Sequence, residues 1–263
     1  MCILFIARRK RADYPLIIAA NRDEFYQRPT APSAFWKHHP HMLAGQDLEA
    51  SGTWMGVTRQ GKIAALTNVR APSEMKTDVN SRGELVANWL QQPLAEHQNN
   101  SLVAIDEYLQ SLHLSRNQYN GYNLLFGDVA HLCVYNNVND TTHGVEQGVF
   151  GLSNADIVTP WPKVTQGVTA LNQYVDAQAK IDCEDLFALL KQDTKAQDQA
   201  LPDTGIGYEW EKALSSIFIQ TPKYGTRTST LLLVDANNVL TWKERSFSDT
   251  GLATQTREFS FQI

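Results

Sequence analysis

The strongest constraint on the fold is a series of short, β-prone apolar runs, each separated from the next by a brief turn. CILFIA and PLIIAA flank Arg8 to Tyr14 and read as a hairpin. GTWMGVT (Gly52 to Thr58) and KIAALTN (Lys62 to Asn68) flank Arg59-Gln60-Gly61 and read as a second. YNLLFGD, HLCVYNN and GVFGLSN continue the pattern. SIFIQ, TSTLLLVD, VLTWKER across the Ala236-Asn237-Asn238 turn, and REFSFQI complete it. Roughly ten strands, mostly hairpin-linked, predict antiparallel sheets.

Three stretches carry the helical period instead. Ser81-x-x-Glu84 has the capping-box pattern ahead of Leu85, Val86, Trp89 and Leu90. Leu102, Ile105, Leu109 and Leu112 share one face, as do Val164, Val168, Leu171 and Val175, with Pro162 suited to a first helical turn. One-faced helices suit the covering of a sheet. Strands with few polar interruptions suit sheets buried on both faces, one against a second sheet and one against helices. The expectation is an α+β chain, a four-layer α-β-β-α sandwich of two antiparallel sheets. A chain of 263 residues with 43% hydrophobic content fills one sizeable core, so residues 1–263 are read as a single domain. The polar stretches Gln91 to Ser101 and Gln192 to Gly207 are predicted to be surface connections.

A formal charge of −5 provides no global field for nucleic acid or an anionic membrane. Ile3 to Ala7 is too short for a signal peptide and is followed, not preceded, by basic residues. No run approaches the roughly 20 apolar residues of a membrane span. The protein is therefore expected to be cytoplasmic, without integral membrane association. Three cysteines (Cys2, Cys133, Cys183) lack CxxC spacing and suggest neither a disulfide framework nor a structural zinc site. His38-His39-Pro40-His41 reads as a surface loop, because Pro40 breaks any ligand spacing. With no GxGxxG, P-loop or HExxH, neither metal nor cofactor is expected.

The chemistry concentrates at the start of the chain. Removal of Met1, expected when a small residue follows, leaves Cys2 with both a thiol and a free α-amine. With reference pKa values of about 7.7 to 8.0 for the amine and about 8.5 for the thiol, base and nucleophile then belong to one residue. If Ala7 lies near Pro15, antiparallel pairing puts Cys2 close to Ala20 and brings Asn21, Arg22 and Asp23 beside it. An Asp there holds an ammonium; an Arg fixes a substrate carboxylate or orients the Asp. On residues alone a second reading stays open: Cys2 packs in a first strand and Asn21-Arg22-Asp23-Glu24 is a polar turn. Arg8, Arg9, Lys10 and Arg11 fall at the far end of the hairpin, roughly 17 to 20 Å from Cys2, as a solvated turn. Trp54 and Trp161, close in the chain to LTNVR and GLSN, are candidates to line a pocket; Trp36, Trp89, Trp210 and Trp242 are read as core.

MC at the start, AANRDEF, LTNVR, GLSN and YGTRTST together resemble the NRDE family, the group that includes the transport and Golgi organisation protein 2 homologues. That family in turn is similar to the N-terminal nucleophile hydrolases of the penicillin V acylase and bile salt hydrolase branch. The resemblance implies the layered α-β-β-α fold and a set of roles. Cys2 matches the nucleophile and Asp23 the aspartate near its α-amine. Asn68 matches the asparagine whose backbone amide helps form an oxyanion hole, and Asn154 the one whose side chain completes it. Arg227 matches the late arginine near the nucleophile. Asn21, Arg22, Glu24, Trp54 and Arg70 are the expected substrate contacts. The hydrolases usually read Arg-Asn-x-Asp where this chain has Asn21-Arg22-Asp23, so Arg22 does not occupy their arginine position.

Two functions follow from the resemblance. One is a cysteine amidohydrolase that cleaves a linear acyl amide. The other is a non-catalytic binding or trafficking protein that holds acyl-CoA, a lipid or haem in the same cleft. Either partner is a small molecule.

Overall fold

The computed structural model describes residues 2–92, 101–159 and 161–263. The predicted connection Gln91 to Ser101 lies mostly outside them. Among the described residues the chain forms thirteen strands and five α-helices. They are β1 (Cys2–Arg8), β2 (Leu16–Phe25), β3 (Thr30–Trp36), β4 (His39–Asp47), β5 (Met55–Thr58), β6 (Lys62–Asn68), α1 (Gly83–Gln91), α2 (Ser101–Ser115), β7 (Tyr122–Asp128), β8 (Leu132–Asn136), β9 (Thr141–Gly144), β10 (Gly148–Leu152), α3 (Pro162–Ala177), α4 (Cys183–Leu190), α5 (Tyr208–Ala213), β11 (Tyr224–Val234), β12 (Val239–Phe247) and β13 (Ala253–Gln262). The strands make two sheets, ordered β10-β1-β2-β11-β12-β13 and β3-β4-β5-β6-β7-β8-β9, and every strand pair is antiparallel. The α+β class and the pair of antiparallel sheets are as expected.

The chain divides into two compact units. The first holds the residues up to Gln27, Arg70–Ser73 and Gln147–Gln262, and so carries the six-stranded sheet with α3, α4 and α5. Ile3, Phe5 and Ala7 of β1, Ile17 and Ala19 of β2, and Leu231 and Leu233 of β11 point to one face and pack with Val164, Leu171 and Val175 of α3 and with Leu186, Phe187 and Leu190 of α4. The period-2 and period-3.6 patterns thus meet in one core. α3 lies so close to β1 that a Cβ at Gly167 would fall 2.0 Å from the Phe5 ring, which is why a glycine interrupts this stripe. Leu4, Ile6, Ile18 and Leu232, on the opposite face, are also buried. The second unit holds Arg28–Val69 and Glu74–Glu146, with the seven-stranded sheet, α1 and α2. Its core joins Met42, Leu66, Leu124 and Phe126 to Val86 and Trp89 of α1 and to Ile105, Tyr108 and Leu112 of α2.

Several local expectations are corrected. The Ser81/Glu84 capping box does not form: α1 starts at Gly83 with Arg82 as N-cap, and Glu84 instead accepts a hydrogen bond from the Tyr119 hydroxyl at 2.6 Å. Leu102 is exposed, and Tyr108 takes its place on the buried face of α2. SIFIQ is not a strand; among these residues only Gln220 makes a bridge, to Gly225. His39-Pro40-His41 opens β4 and does not form a loop, because the chain reverses at Trp36, which pairs with His39. Trp210 is 44% exposed and is not core. The basic turn is not simply solvated. Arg8 ends β1 and is buried, while Arg11 donates to the carbonyls of Val175, Gln178 and Ala179 at the C-terminus of α3, where a cation suits the helix dipole. No helix among the described residues is long and apolar enough to cross a membrane.

Candidate active site

The register of the first hairpin sets the site. Arg9 N–H donates to the Pro15 carbonyl at 2.8 Å and Arg8 pairs with Leu16, so Cys2 pairs with Arg22 and Ile3 with Asn21. The predicted pairing of Cys2 with Ala20 is off by two residues, because the turn closes at Arg9 and not at Ala7. An even shift leaves each side chain on its expected face. Across β11, Arg22 pairs with Thr228 and Asp23 with Thr226, and Arg227 is the extra residue of a bulge between them. On the other side β1 pairs with β10 up to Leu4–Leu152. Beyond Leu152 the chain leaves the strand and bends through Ser153 and Asn154. Ser153 Oγ, 3.2 Å from the Cys2 carbonyl, ties the start of β1 to the segment leaving β10. Cys2, Arg22 and Thr228 therefore form a row across one end of the sheet, with the Ser153–Asn154 bend beside Cys2.

Pleating divides the polar residues between the two faces. Cys2 and Arg22 share one face. Asn21 and Asp23 point to the other, toward the helices. Asn21 Nδ2 donates to the carbonyls of Leu190 and Ile217 at 2.8 and 3.0 Å, and its Oδ1 accepts from Ser229 Oγ at 2.6 Å. Its amide is thus used to hold β2 to the end of α4. Asp23 is 1% exposed; its Oδ1 accepts from Thr226 Oγ1 at 2.7 Å and its main-chain carbonyl from the Tyr224 hydroxyl at 2.9 Å. Glu24 is half-buried beyond it, and Arg227 donates to the Phe25 carbonyl at 2.9 Å.

A buried lysine, absent from the sequence reading, completes the group. Lys163, in the first turn of α3, is 2% exposed and donates from Nζ to Asn154 Oδ1 at 3.2 Å. One signal marked it: Lys163 sits on the apolar stripe of α3, one turn before Gly167 and two before Leu171, where a solvated lysine does not belong. Arg70 is also drawn in. Its N–H donates to the Asn154 carbonyl at 2.8 Å, its guanidinium pairs with Glu211 at 2.6 Å, and its charge lies 4.7 Å from the centre of the Trp161 ring. Glu211 also accepts from Thr204 through both N–H and Oγ1. Arg70, Trp161, Lys163 and Glu211 line one small pocket.

Burial dominates the electrostatics. It pushes the Cys2 thiol above its ordinary value, against the pull of Arg22, so the thiol is harder to ionise than its reference value implies. It raises Asp23 and lowers Lys163 to about 8, so both groups move toward their neutral forms, while each partly holds the charge of the other.

The structure thus brings together Cys2, Arg22, Asp23, Asn154, Arg70 and Arg227 in the first unit. Asn68 and Trp54 belong to the second. Asn68 ends β6, half-buried and paired with Tyr122. Trp54 is buried, accepts the Leu66 N–H at its carbonyl at 2.8 Å, and covers Gly45, where a Cβ would meet its ring. Among the described residues no three His, Cys, Asp or Glu side chains cluster so as to hold a metal ion.

A family model described as Transport and Golgi organisation 2 matches residues 1–249. The chain is 35% identical, over an alignment of 285 residues covering all of both proteins, to the Transport and Golgi organization protein 2 homolog of Homo sapiens. It is 28% identical to Transport and Golgi organization protein 2 of Drosophila melanogaster, with 94% of this chain and 93% of that one covered. Among solved structures it is similar to the mutant C2A conjugated bile acid hydrolase from Clostridium perfringens, with a TM-score of 0.56 at 10% identity over 98% of this chain and 92% of that one.

Proposed function

Because the chain belongs to the Transport and Golgi organisation 2 family and shares its fold with a bile acid hydrolase, we propose that it is an N-terminal cysteine amidohydrolase that cleaves a linear acyl amide. The observation that carries this reading is Cys2 paired with Arg22, tied through its carbonyl to Ser153 next to Asn154, with Asp23 buried on the neighbouring strand. Once Met1 is removed, the α-amine of Cys2 takes the thiol proton, and the sulfur attacks the amide carbonyl carbon. Asn154 Nδ2–H stabilises the oxyanion, a contribution of roughly 10²- to 10³-fold for a well-placed donor. Collapse breaks the C–N bond; the leaving amine takes the proton from the α-ammonium and a thioester remains on Cys2. A water, deprotonated by the same amine, then attacks the thioester and releases a carboxylic acid and the free thiol. Asp23 holds the α-ammonium while it carries the proton within each half-reaction, and in the second the ammonium returns that proton to the departing thiolate. Arg22, on the thiol's face, stabilises the thiolate and contacts an anionic part of the substrate, with Arg227 in the bulge beside it.

The family match, residues 1–249, reaches across both units, which supports reading residues 1–263 as one functional domain. The three cysteines are unbridged, which suits a reducing compartment such as the cytoplasm.

Intact mass spectrometry combined with single-turnover acylation by p-nitrophenyl acetate tests the proposal. The expected result is a chain beginning at Cys2 that releases one p-nitrophenolate as the acyl group appears on Cys2, and Cys2→Ala abolishes the release. Full retention of Met1, or an unchanged rate in the alanine variant, would sink it.

One observation favours a second reading, a non-catalytic carrier of acyl-CoA, a lipid or haem. Ala20 stands where the hydrolases' stretch has its arginine, and the relatives are named for transport. A carrier keeps its ligand affinity when Cys2 becomes alanine and is never acylated.

A further inference from the structure

A side-chain amide has two ends of nearly the same shape, and a half-turn exchanges a donor for an acceptor. At an oxyanion site the wrong end would set one oxygen lone pair against another. Something must therefore choose the orientation of Asn154. Ser153 does not: its hydroxyl lies 3.1 Å from Asn154 Oδ1 and 3.2 Å from the Cys2 carbonyl, and a hydroxyl can serve either end of an amide. An ammonium has donors alone and tolerates only the oxygen. Lys163 Nζ, 3.2 Å from Asn154 Oδ1, is that group. The backbone of Asn154 is held separately by the Arg70 N–H at 2.8 Å, so the lysine acts on the carboxamide and not on the chain path.

Burying a lysine to 2% exposure is unfavourable unless the charge is met, and a methionine would fill the same space without that cost. The charged and titratable groups around it are Asp23 of β2, Cys2 of β1, Arg70, and Glu211 of α5. Asp23 is the group that most offsets its charge. We propose, resting on the hydrolase reading above, that Lys163 is a positioning residue: it locks the Asn154 carboxamide with the oxygen toward itself, so that the NH₂ is the end presented to the developing oxyanion.

A double-mutant cycle on protein shown by mass spectrometry to begin at Cys2 tests this, with p-nitrophenyl acetate as acyl donor and iodoacetamide as control. Acylation passes through an oxyanion as p-nitrophenolate leaves. Alkylation displaces iodide from carbon and forms none. Lys163→Met is expected to slow acylation by about 10- to 100-fold and alkylation by less than about twofold. In an Asn154→Ala background the same substitution is expected to change acylation by less than about twofold, because the group it acts through is gone. Equal slowing in both backgrounds, or equal slowing of acylation and alkylation, overturns the proposal. Should Lys163→Met fail to fold, Lys163→Arg keeps a donor-only cation beside Asp23 and is expected to acylate within about threefold of wild type; a loss as large as that of Asn154→Ala overturns the proposal. Wild-type protein that is alkylated at Cys2 but never acylated breaks the hydrolase reading and this inference with it. Wild type that is acylated, with Lys163→Met at full rate, breaks this inference alone.

Discussion

Among the described residues each of the two compact units buries one lysine almost completely, and the two lysines are perturbed alike. Lys62 in the second unit is 4% exposed and Lys163 in the first is 2% exposed; burial brings both down to about 8. Their surroundings differ. Lys62 donates to the carbonyls of Trp89 and Gln92 at 3.2 and 3.1 Å, with its charge 4.2 Å from the centre of the Trp89 ring. It caps the C-terminus of α1, and among the described residues no carboxylate contributes to its shift. Lys163 meets a carboxamide beside a candidate nucleophile and is coupled to Asp23, Cys2, Arg70 and Glu211. A perturbed pKa therefore does not by itself mark a functional lysine. The chemistry of the partner decides: main-chain carbonyls at a helix end in one case, a side-chain amide and a network of titratable groups in the other.

The largest expected effect concerns the network around Lys163. Arg70→Met leaves Glu211 charged and buried, where the pair now has side chains 6% and 4% exposed. The expected loss of stability is about 3 to 5 kcal/mol, read by denaturant unfolding. A loss below about 1 kcal/mol would mean that the buried charges of this unit are not interdependent, and the contrast with the isolated Lys62 would fail.

A smaller effect is expected at Lys62. Lys62→Met strips the donor from two carbonyls at the end of α1, and the cost of the unmet acceptors, about 1 to 3 kcal/mol, outweighs the relief of the buried charge. Hydrogen exchange should localise the loss to the last turn of α1, with Cys2 acylation unchanged. Slowed acylation in this variant would erase the distinction between the two lysines.

A third contrast is in pH dependence. A lysine whose folded pKa is lowered from 10.5 to about 8 leaves the unfolded chain binding more protons between those values. Its contribution to stability thus rises as pH goes from about 8 to 10.5 and is lost as pH falls through about 8. The stability of wild type relative to Lys62→Met should climb over that window; a flat difference would contradict the burial of the charge. Asp23 acts with the opposite sign at acid pH. Its folded pKa is raised by burial, so its contribution is present below the ordinary carboxylate range and is lost as pH rises through its folded value. Asp23→Asn should remove that acid-side slope and leave the alkaline one.

Strands that are apolar runs between clear turns were legible in the sequence, as β1, β2, β6, β11 and β12 show. β3 and β4 were not, because TAPSAFW and HPHMLAGQD carry prolines and polar residues that hide a strand held by its neighbours. α4 is only eight residues long, too short for its stripe to stand out, yet it supplies Leu190, whose carbonyl anchors Asn21. The capping box failed for a related reason: Glu84 had a tertiary partner in Tyr119 that a local motif does not reveal.

The sequence by itself determined that Cys2 and Asp23 lie at the same end of neighbouring strands, since side-chain alternation and a short hairpin are local properties of the chain. Tertiary structure decided the rest. The two-residue offset came from where the turn closes, at Arg9 and Pro15. The placing of Arg22 and of the Ser153–Asn154 bend on either side of Cys2 came from β1 being flanked by β2 and β10. The burial of Lys163 and of the Arg70–Glu211 pair depended on packing, because whether a charge is hydrated is set by what surrounds it in space and not by its neighbours in the chain.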